Sequence, residues 1–447
     1  MRGILTSSVG VTCAAALLLS AAPVSAAPAR PAPQAGRAAP GTTQSLPLVP
    51  LRRDRALGAV TEQGLQRRDV RHFSLVGVIW DDPATALHGG VQVRTRAAAT
   101  GAWSGWQTVE THADHGADPG TAEGSSGRLH GATAPLWVGD SDGVEVRVRA
   151  EGASGDGRAG TLTSPLPSGL RLELVDPGAE PALMGSPADA PRAGYLDEGA
   201  TAASAVNTDV APLGAVEIPA LSRQATERDL LARRSAEPAG GERVKPYIGP
   251  RPRIVTRRGW GADESLRERG FVYTKKVKAA FVHHTASGNN YRCSQAPSVI
   301  RSIYRYHVKS MGWRDIGYNF LVDKCGNIYE GRAGGVSKAV MGAHTLGFNT
   351  NSMGIAVIGS FGSSKPSSSA VTAVAKLTAW KLGLYGANPR GKTYLKSGGG
   401  NLYPKGKNVR LNVISGHRDG FATTCPGKRL YSKLGSARSA AARYQGR

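Results

Sequence analysis

The stretch SGHRDGFATTCPG, residues 415–427, places a histidine, His417, and a cysteine, Cys425, eight residues apart. It continues an apolar segment, VRLNVISGH at residues 409–417, whose pattern is typical of a buried strand. A second compact apolar segment, VKAAFVHH at residues 277–284, also ends in histidine, with His283 as its penultimate residue. If these two strands are neighbours in a sheet, the imidazoles of His283 and His417 face each other.

The N-terminus of the chain has the features of a secretory signal peptide. Met1-Arg2 precedes an apolar run at residues 9–22, and Val24-Ser25-Ala26 supplies a small-residue cleavage site after residue 26. A membrane anchor is the alternative, but a span needs ~18 or more apolar residues, and this run is shorter. We therefore expect a secreted protein, extracellular or associated with the cell wall, and not an integral membrane protein.

The cysteine count bears on the role of Cys425. The chain has four cysteines, and Cys13 lies in the predicted signal peptide. Three remain in an oxidising compartment, where disulfides persist. Cys293 and Cys325 flank one helix-plus-strand segment and make a reasonable disulfide pair, which leaves Cys425 over. A secreted cysteine outside a disulfide needs another role, such as a thiol nucleophile or a metal ligand.

Charge is distributed unevenly along the chain. Residues 251–447 contain 33 Lys and Arg against 7 Asp and Glu, a net charge of +26, whereas the whole chain carries +23. A field of this size concentrates polyanions near the C-terminal half of the protein. Outside a cell the expected polyanions are anionic wall polymers, and the secretion signal argues against nucleic acid as a partner. A solvated basic surface without a partner is the simpler alternative.

Composition predicts two folded domains. Residues 27–45 are rich in Ala, Pro and Gly and are predicted to be disordered. Residues 46–176 alternate apolar and polar residues in short runs, which predicts an all-β, sandwich-like domain of unknown role. Residues 177–247 are again rich in Ala, Pro, Gly and Ser, which indicates a linker that can include a short helix near residues 225–234.

Residues 248–447 mix strand and helix patterns. Helices are predicted at residues 298–312, 368–386 and 428–444, and a hairpin is predicted to turn at residues 326–327. This mixture predicts an α/β domain with a mixed central sheet flanked by helices. The Gly-rich, basic residues 386–408 are predicted to be an insertion that forms a hairpin loop.

Two histidines and one cysteine make a zinc set of the catalytic type. His283, His417 and Cys425 would give three protein ligands and leave the fourth position for water. His284 could in principle close the set as in a structural zinc site. Alternatively, Cys425 could be a thiol nucleophile with His417 as its base, oriented by Asp419. The coincidence of two strand-end histidines with a leftover cysteine favours zinc.

Four motifs then occur in order: FVHHTASG (281–288), GWRDIGYNFLVDKCGNIYEGR (312–332), GAHTLGFNTNSMGIAVIGSF (342–361) and SGHRDGFATTCPG. Over about residues 250–435 the sequence resembles the type-2 N-acetylmuramoyl-L-alanine amidase and peptidoglycan recognition protein family. The resemblance implies a zinc amidase that hydrolyses the amide between the lactyl group of muramic acid and the L-Ala of peptidoglycan. It implies zinc (Zn2+) ligation by His283, His417 and Cys425.

The resemblance also implies roles for four further residues. Tyr318 matches the family's catalytic tyrosine, which stabilises the water or the developing oxyanion. Thr423 stands where phage-type members carry a lysine, so it is either a catalytic residue or a cap for the helix that follows. His344 and Arg332 lie where the family lines its substrate groove, and Arg332 could pair with a carboxylate of the stem peptide.

Three functions remain in view. Non-catalytic members of the family bind peptidoglycan and lose the cysteine ligand, whereas Cys425 and Tyr318 are both present here. This favours the amidase over a peptidoglycan-binding protein without activity. The thiol hydrolase remains a third, less favoured function.

Overall fold

The structure is a computed structural model that describes residues 40–53, 60–111, 115–152, 164–179, 196–235 and 246–447. The predicted signal peptide and residues 27–39 of the predicted disordered segment lie outside this part of the chain. The described residues all belong to one unit, Ala38–Arg447. Every helix within it is too short or too polar to cross a membrane.

The N-terminal domain is an antiparallel sheet. Its strands are β1 Thr42–Pro47, β2 Val49–Arg53, β3 Val60–Trp80, β4 Gly89–Ala97, β5 Gln107–Val109, β6 Gly131–Ala132, β7 Leu136–Ala150 and β8 Arg171–Asp176. They pair in the order β1-β8-β3-β7-β4-β5, and β2 and β6 also pair with β3. Alternate residues of the central strands, such as Val91 and Val93 in β4 and Val144 and Val146 in β7, are buried. The prediction of a sheet-rich domain is confirmed.

The N-terminal sheet differs from the sequence analysis in its extent. The strand β1 lies partly within residues 27–45, the segment predicted to be disordered, because it pairs along its whole length with the distant strand β8. The strand β3 has 21 residues and starts well before the apolar run at residue 73. Its charged middle, residues 66–69, is exposed, so the sequence there has no buried face to reveal a strand.

The C-terminal domain contains the remaining elements. They are α1 Glu198–Ala205, β9 Glu217–Ile218, α2 Arg223–Ser235, β10 Ile254–Val255, β11 Ala279–His284, α3 Ala296–Arg305, β12 Phe320–Val322, β13 Ile328–Glu330, β14 Ser352–Val357, α4 Ser368–Leu384, β15 Lys392–Lys396, β16 Asn408–Asn412, β17 Ile414–Gly416, α5 Lys428–Tyr431 and α6 Leu434–Gln445. A π-helical turn, Tyr306–Ser310, extends α3.

Seven strands form the central sheet, in the order β17-β11-β14-β12-β13-β10-β9. The pairs β12–β13 and β9–β10 are antiparallel, and the others are parallel, so the sheet is mixed as predicted. Trp380 of α4 packs in one apolar core with Val282 of β11, and Ile300 of α3 packs in another with Ala356 of β14. Helices on both faces explain why β11 is buried along its full length.

The predicted insertion at residues 386–408 contributes Leu395 to the core. Its strand β15 pairs with β16 as an antiparallel hairpin. Leu395 and Val409 from this hairpin pack with Phe281 of the central strand β11 and with Phe348. The hairpin prediction therefore holds, and the hairpin supports the strand that carries His283.

The linker prediction for residues 177–247 is wrong for residues 196–235. This segment contains α1, β9 and α2, and β9 pairs with β10 at the edge of the central sheet. Ile218 of β9 and Leu230 of α2 are buried in the core of the C-terminal domain. The segment is rich in Ala and its elements are short, so their stability comes from packing that local composition does not reveal. The helix predicted near residues 225–234 is α2.

The two domains share a core. Leu75 and Ile79 of β3 pack in the same apolar cluster as Ile300 of α3. The Tyr306 hydroxyl donates a hydrogen bond to the carbonyl of Thr133, 3.1 Å away. Helix α3 thus lies between the two sheets, and the N-terminal domain is held against the C-terminal domain by buried contacts.

A disulfide joins Cys293 and Cys325, the pair that the cysteine count favours, across a sequence separation of 32 residues. We expect the Cys293→Ser/Cys325→Ser variant to lose about 3–4 kcal/mol of unfolding free energy, because a loop of this length is released in the unfolded chain. Urea unfolding of the variant and of the oxidised and reduced wild type would measure this. Equal midpoints for all three proteins would contradict a stabilising role.

Candidate metal centre

The two predicted strand-end histidines come together at one edge of the central sheet. The strands β11 and β17 are parallel neighbours, with Val282 opposite Gly416. Their carboxyl ends therefore point the same way, and the ring centroids of His283 and His417 lie 4.5 Å apart. Both side chains have no exposed surface. The arrangement follows directly from the register of the two strands.

Cys425 reaches the same place from the loop after β17. The amide of Arg418 donates a hydrogen bond to the carbonyl of Cys425, 3.0 Å away, which folds the loop back onto the strand end. The sulfur of Cys425 lies 3.9 Å from Nδ1 of His283 and is almost fully buried. Thr423 is half-buried, and its hydroxyl accepts a hydrogen bond from the amide of Cys425 at 3.1 Å. In this position Thr423 shapes the cysteine loop.

A fourth side chain that could bind a metal comes from the N-terminal domain. His115 follows β5, and its Nε2 lies 3.2 Å from Nδ1 of His283. One ligand atom from each of His115, His283, His417 and Cys425 lies within 4.8 Å of the other three. We call these four residues the His/Cys cluster. Sequence analysis missed His115, and the fourth member of the cluster is this residue and not His284.

The donor set of the His/Cys cluster fits a zinc ion. Three imidazole nitrogens and one thiolate are ligands that zinc accepts in a tetrahedral site. Burial and the neighbouring histidines lower the pKa of His283 well below its usual value, and burial lowers the pKa of His115 to about 3. These imidazoles are therefore neutral, which is the form that binds a metal.

A hydrogen-bonded chain lies behind His283. Its Nε2 is 3.4 Å from the hydroxyl of Thr345, and that hydroxyl is 3.0 Å from Nδ1 of His344. A hydrogen bond at Nε2 directs Nδ1 of His283 toward the His/Cys cluster, as outer partners of metal ligands commonly do. His344 is fully buried, so here it supports His283 from behind.

His284 and Asp419, the residues of the alternative hypotheses, have other partners. Nε2 of His284 lies 3.5 Å from a carboxylate oxygen of Glu110. The carboxylate of Asp419 accepts hydrogen bonds from the amide of Gly416 at 2.9 Å and from the hydroxyl of Tyr431 at 2.6 Å. These contacts fix the strand end and the cysteine loop.

Tyr318 lies beside the His/Cys cluster. It comes just before β12, and its hydroxyl is 3.4 Å from Nε2 of His115. Burial raises the pKa of Tyr318 well above its usual value, and its side chain is nearly inaccessible to solvent. The phenol therefore keeps its proton and can donate a hydrogen bond at the edge of the cluster.

Arg332, the predicted groove residue, forms a buried ion pair. Its guanidinium contacts both oxygens of Glu123, at 2.8 and 2.9 Å, in a bidentate arrangement. The two side chains are 4% and 3% exposed. Glu123 belongs to the N-terminal domain, and sequence analysis did not identify it. Two residues of the N-terminal domain thus contact the predicted site. His115 lies at the His/Cys cluster, and Glu123 binds the guanidinium of Arg332.

Comparison with known proteins identifies both domains. The family model for N-acetylmuramoyl-L-alanine amidase matches residues 273–428, and a model described as Rv3811 N-terminal galactose-binding domain-like matches residues 28–170. The chain is 30% identical over 183 residues to peptidoglycan-recognition protein SC2 of Drosophila simulans, covering 40% of this chain and 84% of that protein.

Two further proteins are similar to this chain. Peptidoglycan-recognition protein SC1a of Drosophila melanogaster is 31% identical over 192 residues, covering 42% of this chain and 87% of that protein. The solved structure of Drosophila PGRP-LB is 26% identical in sequence, with a TM-score of 0.32, and the alignment covers 41% of this chain and 92% of the PGRP-LB chain. The amidase model and the sequence relatives agree on the family, and the alignments cover most of the relatives' length. Through its C-terminal domain, the chain belongs to the type-2 amidase and peptidoglycan recognition protein family.

Proposed function

We propose that this protein is a secreted, zinc-dependent N-acetylmuramoyl-L-alanine amidase. The observation that carries the proposal is the meeting of His283, His417 and Cys425 at one sheet edge, within reach of a protonated tyrosine, Tyr318. The amidase family model and the names of the peptidoglycan-recognition relatives support peptidoglycan as the substrate. The N-terminal features of the sequence support secretion.

The residues of the site have distinct tasks in this function. When bound, a zinc ion supplies a water activated near neutral pH and polarises an amide carbonyl. His283, His417 and Cys425 would hold that ion, and Thr345 orients His283 through its second nitrogen. Tyr318 would donate its O–H to the oxygen on which negative charge develops, an interaction that is stronger in the transition state than in the substrate.

The surroundings of the site suit a wall polymer. The net charge of +26 on residues 251–447 attracts an anionic polymer toward the C-terminal domain. The guanidinium of Arg332 suits bidentate binding of a carboxylate, a group that stem peptides carry. Binding of peptidoglycan without cleavage is the second candidate function, and the presence of Cys425 and Tyr318 favours the amidase over it.

The test is product analysis on purified peptidoglycan. Full-length protein should release new L-Ala amino termini and an equal number of lactyl carboxyl groups. Treatment with a zinc chelator should abolish this release, and added zinc should restore it, because the metal is needed for the chemistry.

Other outcomes would identify the alternatives. Sedimentation with walls but no new amino termini, with zinc present, would leave only the binding function. Cleavage that survives the chelator and disappears after iodoacetamide treatment would support the thiol hydrolase instead.

A further inference from the structure

Residues 115–126 of the N-terminal domain, here called the covering segment, contact the C-terminal domain at three places. His115 joins the His/Cys cluster, Asp118 contacts the loop before β14, and Glu123 pairs with Arg332. His115 contacts the residues proposed to bind the metal, and Glu123 contacts Arg332, which is proposed to bind substrate. The covering segment therefore lies across the site from the metal centre to Arg332.

His115 would complete the coordination of an ion bound by the His/Cys cluster. A catalytic zinc site has three protein ligands and keeps a fourth position for water or substrate, whereas a site with four protein ligands is closed. Nε2 of His115 lies 3.2 Å from Nδ1 of His283 and 3.4 Å from the hydroxyl of Tyr318. The imidazole thus lies beside both a proposed ligand and the proposed catalytic phenol, where the reacting group of a substrate would have to enter.

Glu123 provides a second, independent contact. Its carboxylate binds Arg332 in the bidentate geometry that a substrate carboxylate would use. It also accepts a hydrogen bond from the amide of Arg314, at 3.2 Å. The ion pair is buried, and separating two buried charges is costly unless another partner replaces the one that leaves. A substrate carboxylate must therefore displace Glu123 before it reaches Arg332.

Asp118 fixes the middle of the covering segment. Its Oδ1 accepts hydrogen bonds from the amide of Gly347 at 2.8 Å and from the side-chain amide of Asn349 at 2.6 Å. The segment is also folded on itself, since the hydroxyl of Thr121 donates to the carbonyl of Asp118 and accepts from the amide of Gly124. These contacts form a defined turn that presents His115 and Glu123 together.

We propose that the covering segment is a built-in inhibitor, in which His115 is the fourth ligand of the bound zinc ion and Glu123 masks Arg332. The inference rests on the proposed function for the identity of the metal and the substrate. In this closed form His115 occupies the coordination position that water would take, and Glu123 occupies the guanidinium that a stem peptide would bind. Activity requires the segment to leave the site, for example when a peptidoglycan carboxylate competes for Arg332.

The first test counts the ligands of the metal and needs no catalysis. X-ray absorption of the zinc-loaded full chain should show three imidazole nitrogens and one sulfur. His115→Ala should lose one imidazole nitrogen and gain one oxygen. The matched control is His72→Ala, which removes an exposed histidine of the same domain and should leave the wild-type pattern. Two imidazoles, one sulfur and one oxygen in the wild type would overturn the assignment of His115.

The second test measures access to the site. Soluble muropeptides, prepared by digesting walls with a glycan hydrolase, are titrated into protein by calorimetry. His115→Ala and His115→Ala/Glu123→Gln should bind them at least about tenfold more tightly than the wild type, because the open form no longer competes with a closed one. Glu198→Gln, which alters an exposed glutamate paired with Arg269, is the control and should bind as the wild type does.

The outcomes separate this inference from the proposed function. Tighter binding and a lost imidazole nitrogen without any wall cleavage would refute the amidase while supporting the covering segment as an inhibitor. Equal muropeptide binding by the wild type and His115→Ala, with wall cleavage intact in both, would overturn the inhibitor while leaving the amidase standing.

Discussion

Replacement of Cys425 by serine should lower zinc affinity more than about 100-fold, since even the outer partners of metal ligands are worth 10–100-fold. The expected result follows from the position of its sulfur, 3.9 Å from Nδ1 of His283 in a buried cluster, where a thiolate would supply negative charge to a bound zinc ion. Release of L-Ala amino termini from walls should fall below detection. Competition with a chromophoric chelator measures the affinity.

Residual metal binding is expected in this variant. His115, His283 and His417 remain, and three imidazoles are themselves a zinc set. The further substitution His115→Ala should remove most of what is left. Cys425→Asp is the matched control, because aspartate is a zinc ligand but not a thiol nucleophile. Wall cleavage by metal-free Cys425→Ser protein at the wild-type rate would contradict the metal centre.

The second large effect concerns stability. Arg257→Ala should lower the free energy of unfolding by about 3–5 kcal/mol, the range for removing one partner of a buried charge network. The guanidinium of Arg257 donates to Glu264 at 2.7 Å, to Asp315 at 3.1 Å and to the carbonyl of Gly331 at 2.6 Å. Its side chain is 2% exposed. Its removal would leave the buried carboxylate of Asp315 without its cation, and Glu264 would keep only its ion pair with Arg267.

Denaturant unfolding followed by tryptophan fluorescence measures this loss. The control is Arg269→Ala, which breaks the exposed pair with Glu198 and should leave the midpoint unchanged, since exposed ion pairs contribute little. An Arg257→Ala protein with the wild-type midpoint would show that the network does not stabilise the fold. The variant also tests the site indirectly, because the carboxylate of Asp315 accepts a hydrogen bond from the amide of Ala333, next to Arg332.

Sequence reasoning could predict the parts of the site that lie on strongly patterned elements. The strands β11 and β17 are apolar runs, and each delivers a histidine at its carboxyl end, so their pairing alone brings His283 to His417. Cys425 is singled out because Cys293 and Cys325 pair with each other and leave it outside the disulfide. These inferences needed only local pattern and the arithmetic of cysteines, and the structure brings all three side chains together.

The contributions of the N-terminal domain could not be predicted in this way. His115 is 168 residues away from His283 in sequence, and Glu123 is 209 residues away from Arg332. Both lie in a segment rich in Gly and Ala that has no strand or helix period. Nothing local shows that this segment contacts another domain. The one feature of the sequence that could have indicated a functional role for this segment is its group of histidines and acidic residues between two strands.

The errors in domain boundaries have the same physical origin. Local composition describes residues 196–235 well, but Ile218 and Leu230 are buried because they pack on a surface made by residues that come later. Likewise, β1 is ordered by its pairing with β8. Short elements that depend on tertiary contacts carry little pattern of their own.

The strand β9, which belongs to the segment between the two domains, also affects where the C-terminal domain begins. It forms one border of the seven-stranded sheet, where β10 would otherwise present unpaired backbone groups. Open borders of this kind invite pairing with other chains. The C-terminal domain therefore starts near residue 196 and not at residue 248. A gene fragment that starts at residue 248 would encode a sheet that lacks β9 and leaves the edge of β10 unpaired.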